Sequence, residues 1–175
     1  MSIRVALALG AAVAGLSLTQ AAAQSGTIDN TTVQPWQTSC APGACFAIRA
    51  ITRPGPASAT GETQQQVLAM LVVGVKADGG GILGAVVPLG AAIKPGARLL
   101  YGTQTLNVGV EVCLPDGCRA TADPTPAQFD ALQSTDKVEL QFFAQNVPKP
   151  IITDFPLDGL TEVLATIREK VKTAP

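Results

Sequence analysis

Hydrophobic positions recur along this chain with two different periods, and the changes between them divide it into elements. After Cys45, Phe46, Ile48 and Ala50 alternate with Ala47, Arg49 and Ile51, the period of a strand with an apolar face. Residues 53–62 carry Pro54, Gly55, Pro56 and Gly61 and read as a loop. Residues 67–73 are apolar on both faces, β-branched toward their end and stopped by Gly74 and Gly79 to Gly81, which predicts a buried central strand. Residues 82–87 read as the returning strand, closed by Pro88, and the Lys94, Pro95, Gly96 turn introduces a further strand over residues 98–101. Leu106, Val108, Val110 and Val112 then alternate with Asn107, Gly109, Glu111 and Cys113, the cleanest half-buried strand in the chain.

Beyond residue 120 the period shifts. Thr125, Pro126, Ala127 and Gln128 form a capping box with proline at the first helical position, predicting a short helix through Phe129 and Leu132. Val138, Leu140 and Phe142 mark a strand, and Ile151 with Ile152 another. Leu157, Leu160, Val163, Leu164, Ile167 and Val171 recur at helical spacing, with acids early and Lys170 and Lys172 late, as the helix dipole favours. The pattern predicts a mainly β fold: one antiparallel, β-sandwich-like domain with a short helix and a C-terminal helix docked on the sheet.

The start of the chain follows neither period. Arg4 precedes an uncharged apolar run that ends near Leu18, and Ala21 to Ala23 offer a small-residue cleavage site. Residues 1–23 therefore read as a secretory signal peptide, too short to anchor as a membrane span, residues 24–34 as a flexible lead-in, and residues 35–175 as a single domain. No integral span is expected after cleavage, and the address is periplasmic or secreted.

Composition narrows the partners. Charged residues make up 14% and the formal net charge is -1, and a surface this weakly charged gives no electrostatic footprint for nucleic acid or anionic lipid, both of which need clustered Lys and Arg. Aromatics are only 4% beside 47% hydrophobic residues, so the interior must be aliphatic.

Four cysteines occur in two equal spacings, Cys40 with Cys45 and Cys113 with Cys118. In an exported chain an even count reads as disulfides. Each pair encloses four residues containing Pro and Gly, and residues flanking such a hairpin loop face each other within disulfide reach. The pairing predicted is Cys40–Cys45 and Cys113–Cys118, in preference to zinc ligation, which favours closer spacing and would lack histidine here, or a redox pair, which uses C-x2-C.

Catalytic candidates are few. Gly79 to Gly84 satisfies G-x-G-x-x-G, yet the following stretch is strand-like and no acid stands about 20 positions on, so a plain glycine loop is expected and no cofactor. The chain has no histidine, which removes the commonest general base and the Ser-His and Cys-His pairs. Glycan hydrolysis by two of the carboxylates between Glu62 and Glu169 stays formally open, although no spacing singles out a pair. Trp36 and Tyr101 could line a sugar site; packing roles are the expectation.

The order of features resembles the invasion-associated locus B family of bacterial exported proteins. Trp36 with Cys40 and Cys45, Val87-Pro88-Leu89-Gly90 ahead of Lys94-Pro95-Gly96, Cys113 with Asp116-Gly117-Cys118-Arg119-Ala120, and Phe155-Pro156-Leu157-Asp158-Gly159-Leu160 carry the resemblance over nearly the whole mature chain. Leu100-Tyr101 and Gly159-Leu160 depart from the family's Ile-Asp and Gly-Phe, as in a divergent member. The resemblance implies a β-sandwich-like envelope domain, linked in pathogenic relatives to host-cell entry, and supplies no catalytic residue. The function expected is binding without catalysis, to a protein or envelope component. The contact regions expected are a sheet edge, the loop over residues 53–62 or the loop at Gly79 to Gly81. A histidine-free envelope glycan hydrolase is the rival.

Overall fold

The structure is a computed structural model and describes residues 30–57, 61 and 63–173. The proposed signal peptide lies outside these residues. Strands β1 (Thr32–Val33), β2 (Gln37–Ala41), β3 (Ala44–Ala57), β4 (Thr63–Lys76), β5 (Gly81–Val87), β6 (Ala97–Tyr101), β7 (Gln104–Leu114) and β8 (Gly117–Ala122) precede helix α1 (Pro126–Gln133), strands β9 (Lys137–Phe142) and β10 (Ile151–Pro156), and helix α2 (Leu160–Thr173).

All pairings are antiparallel, in the order β1-β3-β4-β5-β8-β7-β6-β9-β10, with β2 also on β3. The sheet is nearly closed into a barrel-like shape. One strand explains how a single sheet acquires two sandwich-like layers. The first half of β7 pairs with β6 and its second half with β8, and a bulge at Glu111 follows the change of partner. A strand that switches layers makes a corner. Gly96 sits against this corner with φ at 64°, and a Cβ there would come within 2.6 Å of the Val108 carbonyl oxygen. Glycine is needed for both reasons.

The elements follow the sequence pattern closely, with two differences at the loops. The segment read as a lead-in contributes β1, whose Thr32 and Val33 pair with Thr52 and Ile51. The segment read as a loop from residue 53 continues β3 to Ala57, because Arg53 and Pro54 still pair with Gln66 and Gln65. Helix α1 carries the full capping box: the Gln128 N–H donates to the Thr125 hydroxyl, and the Thr125 N–H to Oε1 of Gln128.

The core lies between the inner face of the curled sheet and the two helices. Leu71, Val73, Leu83, Leu99, Leu140 and Phe155 from the strands meet Leu132 of α1 and Leu164 and Ile167 of α2. Helix α2 packs on β2, β3 and β4, where Cys45 and Ala47 are small enough for it to approach. The apolar alternation in β3 is thus the reverse of a simple reading. Ala47, Arg49 and Ile51 face the core, whereas Phe46, Ile48 and Ala50 face outward and are half-buried. Shape decided this: bulky Phe46 and Ile48 on the inner face would displace α2.

Candidate functional site

Disulfides join Cys40 to Cys45 and Cys113 to Cys118. Each pair is a register pair of its hairpin, β2–β3 and β7–β8, with Cα atoms 4.1 and 3.9 Å apart. Both sit beside two-residue turns, Pro42-Gly43 and Pro115-Asp116. Gly43 has φ of 80°, which a Pro-Gly type II turn requires. Both bridges hold loop ends, and among the described residues no cluster of three or more His, Cys, Asp or Glu could hold a metal ion.

A second cluster was not visible in the sequence. Arg49, 5% exposed on the inner face of β3, donates from Nη1 to the Pro156 carbonyl at 2.7 Å and makes a bidentate pair with Asp158 at 2.6 and 3.1 Å. The guanidinium carbon lies 4.7 Å from the centre of the Trp36 ring, and the indole N–H donates to the Asp158 carbonyl at 2.8 Å. Gly159, with φ of 74°, turns the chain beside that ring into α2. Trp36, Arg49 and the segment from Pro156 to Gly159 therefore clasp the end of β10 to β3, across the opening between the two ends of the strand order. The Arg49 side chain holds the Asp158 carboxyl below the usual carboxylate range, chiefly by hydrogen bonding. Trp36 has a packing role here, as does Tyr101, which is buried in the core with its hydroxyl pKa raised by that burial.

The outer face of the sheet carries the feature best suited to recognition. Phe46 and Ile48 of β3, Met70 and Val72 of β4, Val86 of β5, and Arg119 and Thr121 of β8 line a groove of about 280 Å³ together with Ala85 and Asp116. Its surface is mostly apolar because these residues come from the outward positions of four adjacent strands. Gly74 and Gly84 stand among them and leave room: Val72 pairs with Gly84, and the Phe46 ring lies over Gly74 so closely that a Cβ there would be 2.7 Å from it. The rim is polar. Arg119 and Asp116 pair bidentately at 2.9 and 3.2 Å, which holds the Asp116 carboxyl below its usual range, and the Thr121 hydroxyl donates to Glu111. The run read as apolar on both faces is what signals this groove: in β4 the inner residues Ala69, Leu71 and Val73 are buried, but Met70 and Val72 are half-buried and no element among the described residues lies over them.

The glycine run is a turn between β4 and β5, and the strand that follows offers no helix N-terminus. The Asp78 carboxylate accepts from the Gly80 N–H at 2.8 Å, a local turn contact. Gly81 lies under the Phe129 ring, where a Cβ would be 2.5 Å from it, so this glycine seats α1 on the sheet. A hollow beside it brings together Lys76, Asp123, Asp130 and Arg168, in which Lys76 and Asp123 are already paired at 2.7 Å. Asp116, Asp123, Asp154, Asp158 and Glu169 each face a cation. Among the described residues the carboxyls that the fold shifts, Asp116 and Asp158, move down, whereas a general acid must move up. Of the contact regions expected, the glycine loop seats α1 on the sheet and residues 53–57 continue strand β3, while the groove on the sheet face was not among the regions expected.

Several sequence motifs separated along the chain meet in space. Cys118 pairs with Val87, and a Cβ at Gly117 would be 2.8 Å from the Val87 carbonyl oxygen, so residues 87–90 and 116–120 form one packed corner. Trp36 meets Asp158 in the clasp. The family model described as invasion associated locus B protein matches residues 57–168, which contain most of these positions. Among solved structures, the chain is similar to the crystal structure of invasion associated protein B from Bartonella henselae, with 18% identity, a TM-score of 0.50, and coverage of 75% of this chain and 95% of that one. That likeness is one of fold. A search of the curated proteins finds no match.

Proposed function

This chain belongs to the invasion-associated locus B family, and from that premise we propose that it is an exported, non-enzymatic protein of the cell envelope that acts by binding through the outer groove. The observation that carries the reading is the groove itself. Among the described residues no element covers Phe46, Ile48, Met70 and Val72, so folding buries them only in part and leaves apolar surface in water. A partner with an apolar segment gains what folding forgoes. Met70 suits such a surface because its unbranched thioether repacks around different shapes. The Asp116–Arg119 pair at the rim supplies orientation through polar contacts.

Export is supported by the signal-like residues 1–23 and by two disulfides of the kind that persist in oxidising compartments; no helix among the described residues is long and apolar enough to cross a membrane. The name of the Bartonella protein associates it with invasion. For the present chain that suggests a partner met at the cell surface, on the bacterial or the host side.

The test is a parallel pull-down from envelope extract and host-cell lysate using wild type and Val72→Glu. Val72 is half-buried and outward, so the variant folds while placing a charge in the groove. Capture of a protein by wild type and its loss in Val72→Glu is the expected result. Equal capture by both overturns the assignment of the groove.

A further inference from the structure

We propose that the end of the barrel formed by residues 88–96 and 143–150 docks on an anionic membrane surface, because it presents exposed aliphatic side chains on pinned turns flanked by unpaired lysines. The two segments are tied to each other by the Ala91–Ala144 bridge and by N–H donation from Ala92 to the Phe143 carbonyl at 2.7 Å and from Gln145 to the Gly90 carbonyl at 2.8 Å. Three tight turns then fix the tips. Ala91 N–H donates to Pro88, Gly96 N–H to Ile93, and Val147 N–H to Ala144. Gly90 and Asn146 take φ of 92° and 63° at the third positions of their turns.

On this rigid frame Leu89, Ile93 and Val147 are 58%, 60% and 44% exposed. Turn positions favour Gly, Pro, Asn, Asp and Ser, so three large aliphatics there serve no local purpose. Lys94 and Lys149 adjoin Pro95 and Pro148, which line one shared hollow. Neither lysine makes an ion pair among the described residues, and neither segment contains an acid. The nearby Asp116 is already matched by Arg119. A net charge of -1 over the chain thus hides a local excess of positive charge, created when the fold joins two acid-free loops whose lysines stand 55 positions apart in the sequence.

Charge and shape select the occupant. Protruding aliphatics enter the acyl boundary of a bilayer, and lysines beside them reach lipid phosphates while their stems remain apolar. A protein partner would instead need a recess for each tip. A few such contacts give reversible peripheral binding, which suits a chain whose outer groove must stay accessible to a second partner.

The oxidised protein, as recovered after export, is sedimented with vesicles of phosphatidylcholine alone or of phosphatidylcholine mixed with phosphatidylglycerol, whose negative surface attracts lysines. Binding to the anionic vesicles, weakened by added salt, is expected. Replacing both lysines, Lys94→Gln with Lys149→Gln, is expected to lower the partition coefficient on the order of thirtyfold. Leu89→Ser with Ile93→Ser is expected to abolish binding. All four side chains are exposed, so the variants keep the wild-type fold, checked by circular dichroism. No binding to anionic vesicles, or binding unchanged in both variants, overturns the proposal and leaves these loops to a protein partner.

Discussion

Arg49 is the residue at which the inner face of the sheet departs from an apolar pattern, and its surroundings show why. Three donated hydrogen bonds and a stacked indole satisfy most of the guanidinium, so its burial is compensated where an unpaired charge would be costly. Its partner Asp158 is exposed and ionises more easily in the folded protein than in the unfolded chain. A group whose folded pKa is lowered stabilises the fold at pH above its unfolded value, and that contribution disappears as pH falls through the folded value. Thermal stability is therefore expected to decline on acidification below the ordinary carboxylate range. In Asp158→Asn the part of this decline due to the clasp should be missing, as a melting-temperature profile against pH for both proteins would reveal. An Asp158→Asn profile parallel to wild type would show that the ion pair does not matter.

At the scale of elements, the two hairpins are where covalent and non-covalent structure coincide. Each disulfide closes a loop so short that it removes little entropy from the unfolded chain, about 2 kcal/mol by the loop-length relation. The register of β7 and β8 is held independently by the switch of partners along β7 and by Gly117 lying against Val87. Cys113→Ser with Cys118→Ser is thus expected to lower stability by roughly 2 kcal/mol in denaturant titration while leaving the circular dichroism of the native state unchanged. Loss of the fold would mean that the bridge sets the strand pairing. Sequence read these two hairpins well because both the loop composition and the cysteine spacing are local. It read residues 53–57 poorly because Pro54 and Pro56 are loop formers by propensity, and only pairing with β4 extends the strand through them.

For the whole molecule, closure of the sheet is the main constraint. The strand order ends at β1 and β2 on one side and β10 on the other, and α2 with the clasp covers the interior left open between them. Leu164 is completely buried in that interface. Leu164→Ala is expected to cost about 3 kcal/mol, since α2 cannot collapse into the space without opening the Arg49 clasp. Urea unfolding would read the change, and a loss well below 1 kcal/mol would show that α2 is dispensable to the core. The same closure separates the two candidate surfaces. The groove lies on the outside of β3, β4, β5 and β8, while the lysine-bearing loops lie at the end where β5, β7 and β9 finish. A membrane contact at the end leaves the side of the barrel free.

The sequence by itself determined the class of fold, most strands, both helices and the cysteine pairing, because each depends on periodicity or loop chemistry within a few residues. Tertiary structure alone decided which face of β3 turns inward, since both faces are apolar enough to qualify and only the need to seat α2 on small residues chooses between them. It alone brought Trp36, Arg49 and Asp158 together, and the loop carrying Lys94 against the loop carrying Lys149, because electrostatic and packing contacts depend on distance in space while composition averages over the chain. Apolar residues at outward positions of four strands become a groove only once the strands are neighbours.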